Sequence, residues 1–321
     1  MKGNNKYYIL GFVLLLLRAD FAICTISAQS CICNKSYETD LGSLIIKPDS
    51  FQLEGDWLSS IEFNRKKMSD SVTDYTIYRL ASSYSMIYKL DSAYKFLSKF
   101  IDISNDDRCI IVDEKFNNLK EDSLYWASIM GRIEHGYLMC LDSLIDKEFA
   151  LKLFFLGTKD QKYRKYYPKL QQSFELSEWN ENDMQNQATF TLLEKKHGFP
   201  TLSKVGRLAS NAGFLIIQHG NTKYRHYRKL VKAYKKGDYE SILYAKATDR
   251  WRTEHHKKQV YGTSWYRSYK TTTIYGDKWV LEPVKDFKNL NKRRLLLGFC
   301  PIEEELSKDP SKIIPNEYYK R

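Results

Sequence analysis

The segment DYTIYRLASSYSMIYKLDSAYKFLSKFIDI, residues 74–103, decides the fold class of this 321-residue chain. Apolar residues recur in it at intervals of three and four, first over residues 80–88 and again over residues 93–101. Such spacing gathers apolar side chains on one face of an α-helix. Because residues 90–92 interrupt the pattern, the segment predicts two helices joined by a short turn.

This helix pair resembles one tetratricopeptide unit, a helical repeat that stacks on its neighbours. The resemblance rests on four places with the spacing of that repeat: Leu80-Ala81, Tyr84, Ala93 and Phe96-Leu97. Tyr88 stands where such repeats usually place glycine. One unit cannot bury its apolar face alone, so the helical pattern at residues 123–155 is expected to stack on it. The alternative is an ordinary helical hairpin; a true repeat would let region 29–143 dock an envelope protein.

The second half of the chain continues with helical patterns and then changes its period. Residues 268–284 are rich in Thr, Tyr, Ile, Trp and Val, which favours a β-hairpin with strands at 271–275 and 278–281. The last short helix is predicted at residues 290–297, and residues 307–321 are predicted to form a loose tail. The fold class is therefore mainly α: a helical bundle with helix–turn–helix pairs and a small β-hairpin near the C-terminus.

The N-terminus has the pattern of a signal peptide over residues 1–28. Lysines precede an apolar run at residues 7–17, and small residues end the segment before Gln29. The run is too short for a spanning helix, which needs about 20 apolar residues. We expect cleavage and a mature protein in the periplasm or cell envelope, with an uncleaved anchor or lipid attachment at Cys24 or Cys31 as less favoured alternatives.

Several classes of site have no support in the sequence. The cysteines that remain after cleavage are odd in number and sparsely spaced, and no pair of CxxC motifs predicts zinc. The histidines at 197, 226, 255 and 256 fit no metal-ligand spacing, so neither a metal nor another cofactor is predicted. The chain also lacks GxSxG, P-loop and GxGxxG motifs, which argues against hydrolase, NTPase and Rossmann chemistry of the usual kinds.

Positive charge is concentrated in one stretch. Residues 221–272 contain 14 Lys or Arg and 4 Asp or Glu, a local charge of +10 within a total of +12. Tyr and Trp residues lie between these charges. In an exported protein nucleic acid is not the expected partner, so the stretch is either a solvated face or a binding surface for an anionic envelope surface or glycan. Such binding is expected to weaken as salt rises.

Short polar pieces over residues 144–306 resemble the bacterial domain of unknown function 6624. In chain order they are Asp160-Gln161 with Arg164, Asp183 with Asn186, Gly198-Phe199-Pro200 with Gly206, Gln218-His219, Asp249-Arg250, Gln259 with Tyr261-Gly262-Thr263, and Asn291 with Arg293-Arg294 and Gly298. Phe199 and Ser264 depart from the family's usual Trp and Gln. The resemblance implies a mostly helical, often exported domain, sometimes behind helical repeats, with no settled reaction.

His219, Asp249 and Arg250 are the candidate catalytic residues. His219 lies on the apolar face at the end of a predicted helix, where it is either a hydrogen-bonded core histidine or an acid–base group. Asp249 and Arg250 close a later helix, either as a structural ion pair or as groups that hold an anion. The ligand-binding candidates are Gln218, Gln259, Tyr261, Asp183 and Asn186.

We expect His219, Asp249, Arg250 and Gln259 to surround one pocket, because a shared polar cavity satisfies buried polar groups together. Three functions fit this pattern. The first is a ligand- or protein-binding module of the envelope. The second is an enzyme of unknown class, with His219 and Asp249 as acid–base groups and Arg250 holding an anionic substrate. The third is a purely structural envelope protein.

Overall fold

The computed structural model describes residues 46–104, 107–141, 145–166, 175–220 and 224–318, and the predicted signal peptide lies outside them. Most of the described residues are helical, so the mainly α fold class is confirmed. No helix among the described residues is both long and apolar enough to cross a membrane.

The helix pair predicted from the opening segment is confirmed as α3 and α4. Its turn places Tyr88 at a φ of 57°, a left-handed conformation that glycine adopts most easily. This explains why related turns usually carry glycine there. The helices of this part are α1 (Ser50–Glu54), α2 (Trp57–Asp70), α3 (Asp74–Met86), α4 (Leu90–Ile103), α5 (Arg108–Val112), α6 (Asn117–Glu121) and α7 (Ser123–Met139).

Longer helices follow. In the helix before His219, Ala209, Ala212 and Ile216 are buried after a break at Gly206, whose φ of 75° and ψ of 170° are not helical. These helices are α8 (Lys147–Tyr166), α9 (Glu175–His197), α10 (Leu202–His219), α11 (Tyr224–Lys235) and α12 (Ser241–Glu254).

The C-terminal β-structure is present, but its first strand is not where the sequence pattern places it. Residues 271–275 lie in a helix, because Ser268 and Thr271 form a reciprocal capping box that starts it. Strand β1 pairs antiparallel with β2, with Trp265 opposite Leu281. The elements are β1 (Trp265–Tyr266), α13 (Tyr269–Tyr275), β2 (Trp279–Leu281), α14 (Leu290–Leu295), α15 (Ile302–Lys308) and β3 (Lys312–Ile313).

The segment predicted as a loose tail is packed. Strand β3 pairs parallel with β2, with Ile313 opposite Val280. The next residue, Ile314, is buried in a small cluster with Leu281 and Ile302. The tail residues as far as 318 therefore belong to the same body as the sheet.

The largest hydrophobic cluster includes residues from both sides of the boundary predicted at 143/144. Ile77, Phe100 and Ile133 lie in it together with Phe154 and Ile216. Residues 46–141 and the later helices thus share one core. The division into regions 29–143 and 144–306 stays a prediction, and a truncation is a poor test of it because the cut would expose this core.

Helices α8 and α10 run parallel, and α9 runs antiparallel to both. The Asp146 amide, just before α8, donates to the Lys204 carbonyl near the start of α10, and Asp160 contacts His219 near both ends. In contrast, the last residue of α9, His197, contacts Asp146. The three helices therefore bring their polar motifs to one end of the bundle.

Close approach of α8 and α10 depends on Gly157. A Cβ atom at Gly157 would lie 2.5 Å from the Ala212 Cβ atom, so Gly157→Ala is expected to lower the free energy of unfolding by about 1–3 kcal/mol. Gly131, in the interior of α7, has open space around it, and Gly131→Ala should raise the same quantity by about 0.5–1 kcal/mol. Urea unfolding of both variants measures the difference; equal effects would contradict this packing.

Candidate functional site

His219 contacts a buried carboxylate, Asp160, and not Asp249 or Gln259. The His219 Nδ1 atom lies 2.8 Å from Asp160 Oδ2, and Gln161 Nε2 donates to the same oxygen at 2.8 Å. Asp160 is 1% exposed and His219 is 16% exposed. An ionised carboxylate only accepts hydrogen bonds, so Nδ1 carries the proton and the neutral ring keeps its lone pair on Nε2.

Asp183 and Asn186 lie at the same end of the bundle as this pair. The α9 residue Gln187 lies directly against Gly220, the residue after His219. Asn186 is adjacent to Gln187, and Asp183 is about one helical turn away. The Asn186 amide is 1% exposed, and neither its nitrogen nor its oxygen has a hydrogen-bond partner in the part of the chain that the structure describes. The family-like pieces of three helices therefore meet here.

The Asp249 side chain fixes the backbone of the loop formed by residues 260–263. Its carboxylate is fully buried and accepts hydrogen bonds from the backbone amides of Val260, Tyr261 and Thr263, at 2.7–3.1 Å, and from the Thr263 hydroxyl at 2.9 Å. Burial raises the pKa of the Asp249 carboxyl, and these donors offset part of that rise. Both oxygens are occupied, so Asp249 has a structural role in this geometry.

Gln259 joins the same loop to the sheet. Its side-chain amide donates to the carbonyls of Ser264 and Glu282, at 3.0 and 2.8 Å, and its side-chain oxygen accepts from the Ser264 amide at 2.9 Å. The side chain has no exposed surface. Gln259 therefore fixes the backbone of Ser264 and the end of β2 together.

A buried arginine completes the support of the loop. Arg294 is fully buried; it donates to the carbonyls of Tyr261 and Cys300, at 2.9 and 2.8 Å, and to Glu305 at 2.6 Å. The Tyr261 ring lies edge-on to Tyr244, and burial raises the pKa of its hydroxyl. Gly262, beside it, has a φ of 70°, and Arg294 Nη1 would lie 3.6 Å from a Cβ atom there. This left-handed backbone conformation favours glycine at the position.

A cleft of about 1040 Å³ is lined in part by this loop. Its walls are α10, α12, residues 263–265, the end of β2 and parts of residues 299–312. Gln218 and Arg250 line it, together with Gln161, which braces Asp160. The cleft therefore begins beside the His219–Asp160 pair and extends to the sheet.

Most charges in the cleft are paired. Three ion pairs lie within its lining: Arg207–Glu240, Arg250–Glu254 and Lys312–Glu305. Lys246 and Glu282 also line the cleft, and among the described residues neither has an oppositely charged group within 4 Å. Trp265 and Trp279 add two large aromatic surfaces, and Trp279 is 41% exposed.

The prediction that one pocket is shared by His219, Asp249, Arg250 and Gln259 is wrong. Arg250 lines the cleft, whereas Asp249 and Gln259 are fully buried in support of its loop, and His219 is tied to Asp160. The sequence patterns did not identify Glu282, Trp265 and Trp279 as site residues. They placed the first strand at residues 271–275, and no pattern in the sequence indicated which strand lies beside α12. No group of three metal-ligating side chains could hold a metal ion within the described ranges.

The polar pieces that carry the family resemblance thus form two linked features, the bundle end with His219 and the loop with Asp249. Comparison with family profiles, curated proteins and solved structures gives no match to this chain. The resemblance to the bacterial domain of unknown function 6624 therefore stays a prediction.

Proposed function

We propose that this protein is an exported binding module of the cell envelope and that its ligand occupies the cleft. The observation that carries the proposal is the cleft itself. Its volume of about 1040 Å³ can hold a small molecule, and it combines two tryptophan surfaces with a lining that is otherwise mostly polar and charged. The loop that forms one wall of the cleft is fixed by hydrogen bonds to Asp249, Gln259 and Arg294. A wall fixed in this way favours binding, because little ordering entropy is lost when a ligand enters.

Export rests on the predicted signal peptide and receives support from one covalent feature. Cys140 is disulfide-bonded, and disulfides persist in oxidising compartments outside the cytoplasm. Docking of an envelope protein on the N-terminal helices is part of the same proposal. Leu53, Leu58 and Tyr75 are more than half exposed there and offer apolar contact surface.

The cleft proposal predicts that Trp279→Ala weakens ligand binding by roughly tenfold or more, since exposed aromatic anchors dominate such sites. Stability should change little because Trp279 is 41% exposed. Soluble peptide and glycan fragments of the envelope are the probes, and titration calorimetry measures their affinity. Trp57→Ala, at the start of α2 and outside the cleft, is the matched control. Equal affinity in wild type and Trp279→Ala would overturn the cleft as the binding site.

An enzyme is the second candidate, and the His219–Asp160 pair favours it. With Nδ1–H held by Asp160, the ring can accept a proton at Nε2, and the carboxylate would stabilise the resulting imidazolium. Asp249, the other acid–base group expected from sequence, instead accepts hydrogen bonds from the loop amides. The chemical state of the ligand after incubation distinguishes the two functions. A binding module releases the ligand unchanged, whereas an enzyme converts it.

A further inference from the structure

Glu282 is a carboxylate that the cleft leaves without a counter-ion. It follows Leu281 at the end of β2, and its backbone is fixed by the Ser264 carbonyl, the Gln259 side chain and the Tyr318 hydroxyl. Its side chain is half-buried and lines the cleft, with no hydrogen bond or ion pair to another described residue. A half-buried charge without a partner costs free energy unless something else compensates it.

The surroundings of Glu282 suit a cation. Trp265 and Trp279 line the same cleft, and indole faces attract cations through their electron-rich surface. Each ring already has a basic group over it, at 5.1 Å: Lys312 over Trp265 and Arg267 over Trp279. The chain thus already places one cation over each ring, whereas Glu282 has no basic partner among the residues that the structure describes.

The other carboxylates in the lining do not offer this chemistry. Glu240, Glu254 and Glu305 each have a basic partner within the lining. Burial alone raises the pKa of the Glu282 carboxyl, which agrees with its having no counter-ion. The cleft lining contains four basic and four acidic side chains, and beyond the three ion pairs it leaves Lys246, on α12, and Glu282.

We propose that Glu282, with Trp265 and Trp279, recognises a primary ammonium group on the ligand. The inference rests on the proposed function, since it names the chemical class that the cleft takes. An ammonium group could belong to a lysine-type side chain of a peptide or to an amino sugar. Both sources present the same cation, and acetylation removes the charge from both.

The test compares ammonium probes with their acetylated forms. Nα-acetyl-lysine amide and glucosamine carry the cation; Nα,Nε-diacetyl-lysine amide and N-acetylglucosamine lack it. Indole N–H resonances of Trp265 and Trp279 report occupancy of the cleft in the full chain. We expect at least one ammonium probe to bind roughly tenfold more tightly than its acetylated form, because a charge-assisted hydrogen bond is lost. The more tightly bound amine identifies the source.

Glu282→Gln should abolish this preference, and Glu62→Gln, an exposed position on α2, should keep it. In wild type, amine binding should weaken as pH falls through the raised pKa of Glu282, because protonation removes its charge. An acetylated probe that binds the cleft as tightly as the amine, or an unchanged preference in Glu282→Gln, overturns the inference and leaves the proposed function standing. Absence of any amine-dependent shift at millimolar concentration also overturns it. Loss of the cleft proposal would show separately, as ligand binding unaffected by Trp279→Ala.

Discussion

Asp249→Ala is expected to lower the free energy of unfolding by about 3–4 kcal/mol, one of the largest effects of any single substitution in this chain. The carboxylate is the shared acceptor for the amides of Val260, Tyr261 and Thr263 and for the Thr263 hydroxyl. Alanine would leave these donors in a buried space without an acceptor. Each unsatisfied buried group costs about 1–3 kcal/mol, and partial relaxation of the loop limits the sum.

Urea unfolding at pH 7 measures this loss. Asp277→Ala is the matched control, because the Asp277 side chain is 82% exposed and should change stability by no more than about 0.5 kcal/mol. A similarly small effect at Asp249 would mean that the loop does not depend on its carboxylate.

The same loop lines the cleft, so Asp249→Ala should also disturb the proposed binding surface. Thr263 and Ser264 lie in the lining, and their backbone positions follow from Asp249 and Gln259. Asp249 is therefore a positioning residue for the cleft wall and does not itself line the cleft.

The helices were predictable because apolar spacing is a local property of the sequence. The pair α3 and α4 follows directly from the spacing in residues 74–103. The predicted strand at residues 271–275 was wrong for an equally local reason: β-branched residues favoured a strand, but Ser268 and Thr271 cap a helix. A short cap outweighed the propensity of the residues that follow it.

The site was only partly predictable because its contacts join distant parts of the chain. His219 and Asp160 are 59 residues apart, and they meet only because α8 and α10 run parallel. Asp249 and Gln259 were candidate site residues because they belong to the family-like pieces, and the structure places both fully buried in support of the loop. Their structural role depends on which backbone amides face them, and the sequence does not contain that information. Glu282 had no motif at all.

The second large effect is expected at Arg294, where Arg294→Met should lower the free energy of unfolding by about 3–5 kcal/mol at pH 7. The guanidinium is fully buried and joins the loop carbonyl of Tyr261, the Cys300 carbonyl and Glu305. Methionine fills a similar volume but leaves the carbonyls and the carboxylate without their donor. Lys292→Met, at an exposed neighbouring position, is the control and should change stability by no more than about 0.5 kcal/mol.

The pH dependence of this loss tests its electrostatic part. Burial opposes ionisation of Glu305, but Lys312 and Arg294 outweigh it and lower the pKa of this carboxyl below its ordinary 4.5. A lowered pKa in the folded state means that the ion pair stabilises the fold above pH 4.5, and that this contribution disappears as pH falls through the lowered value. The stability difference between wild type and Arg294→Met should therefore narrow as the solution is acidified from pH 7 to pH 3. A difference that stays constant over this range would show that Arg294 stabilises the loop only through the backbone carbonyls, because those acceptors do not titrate.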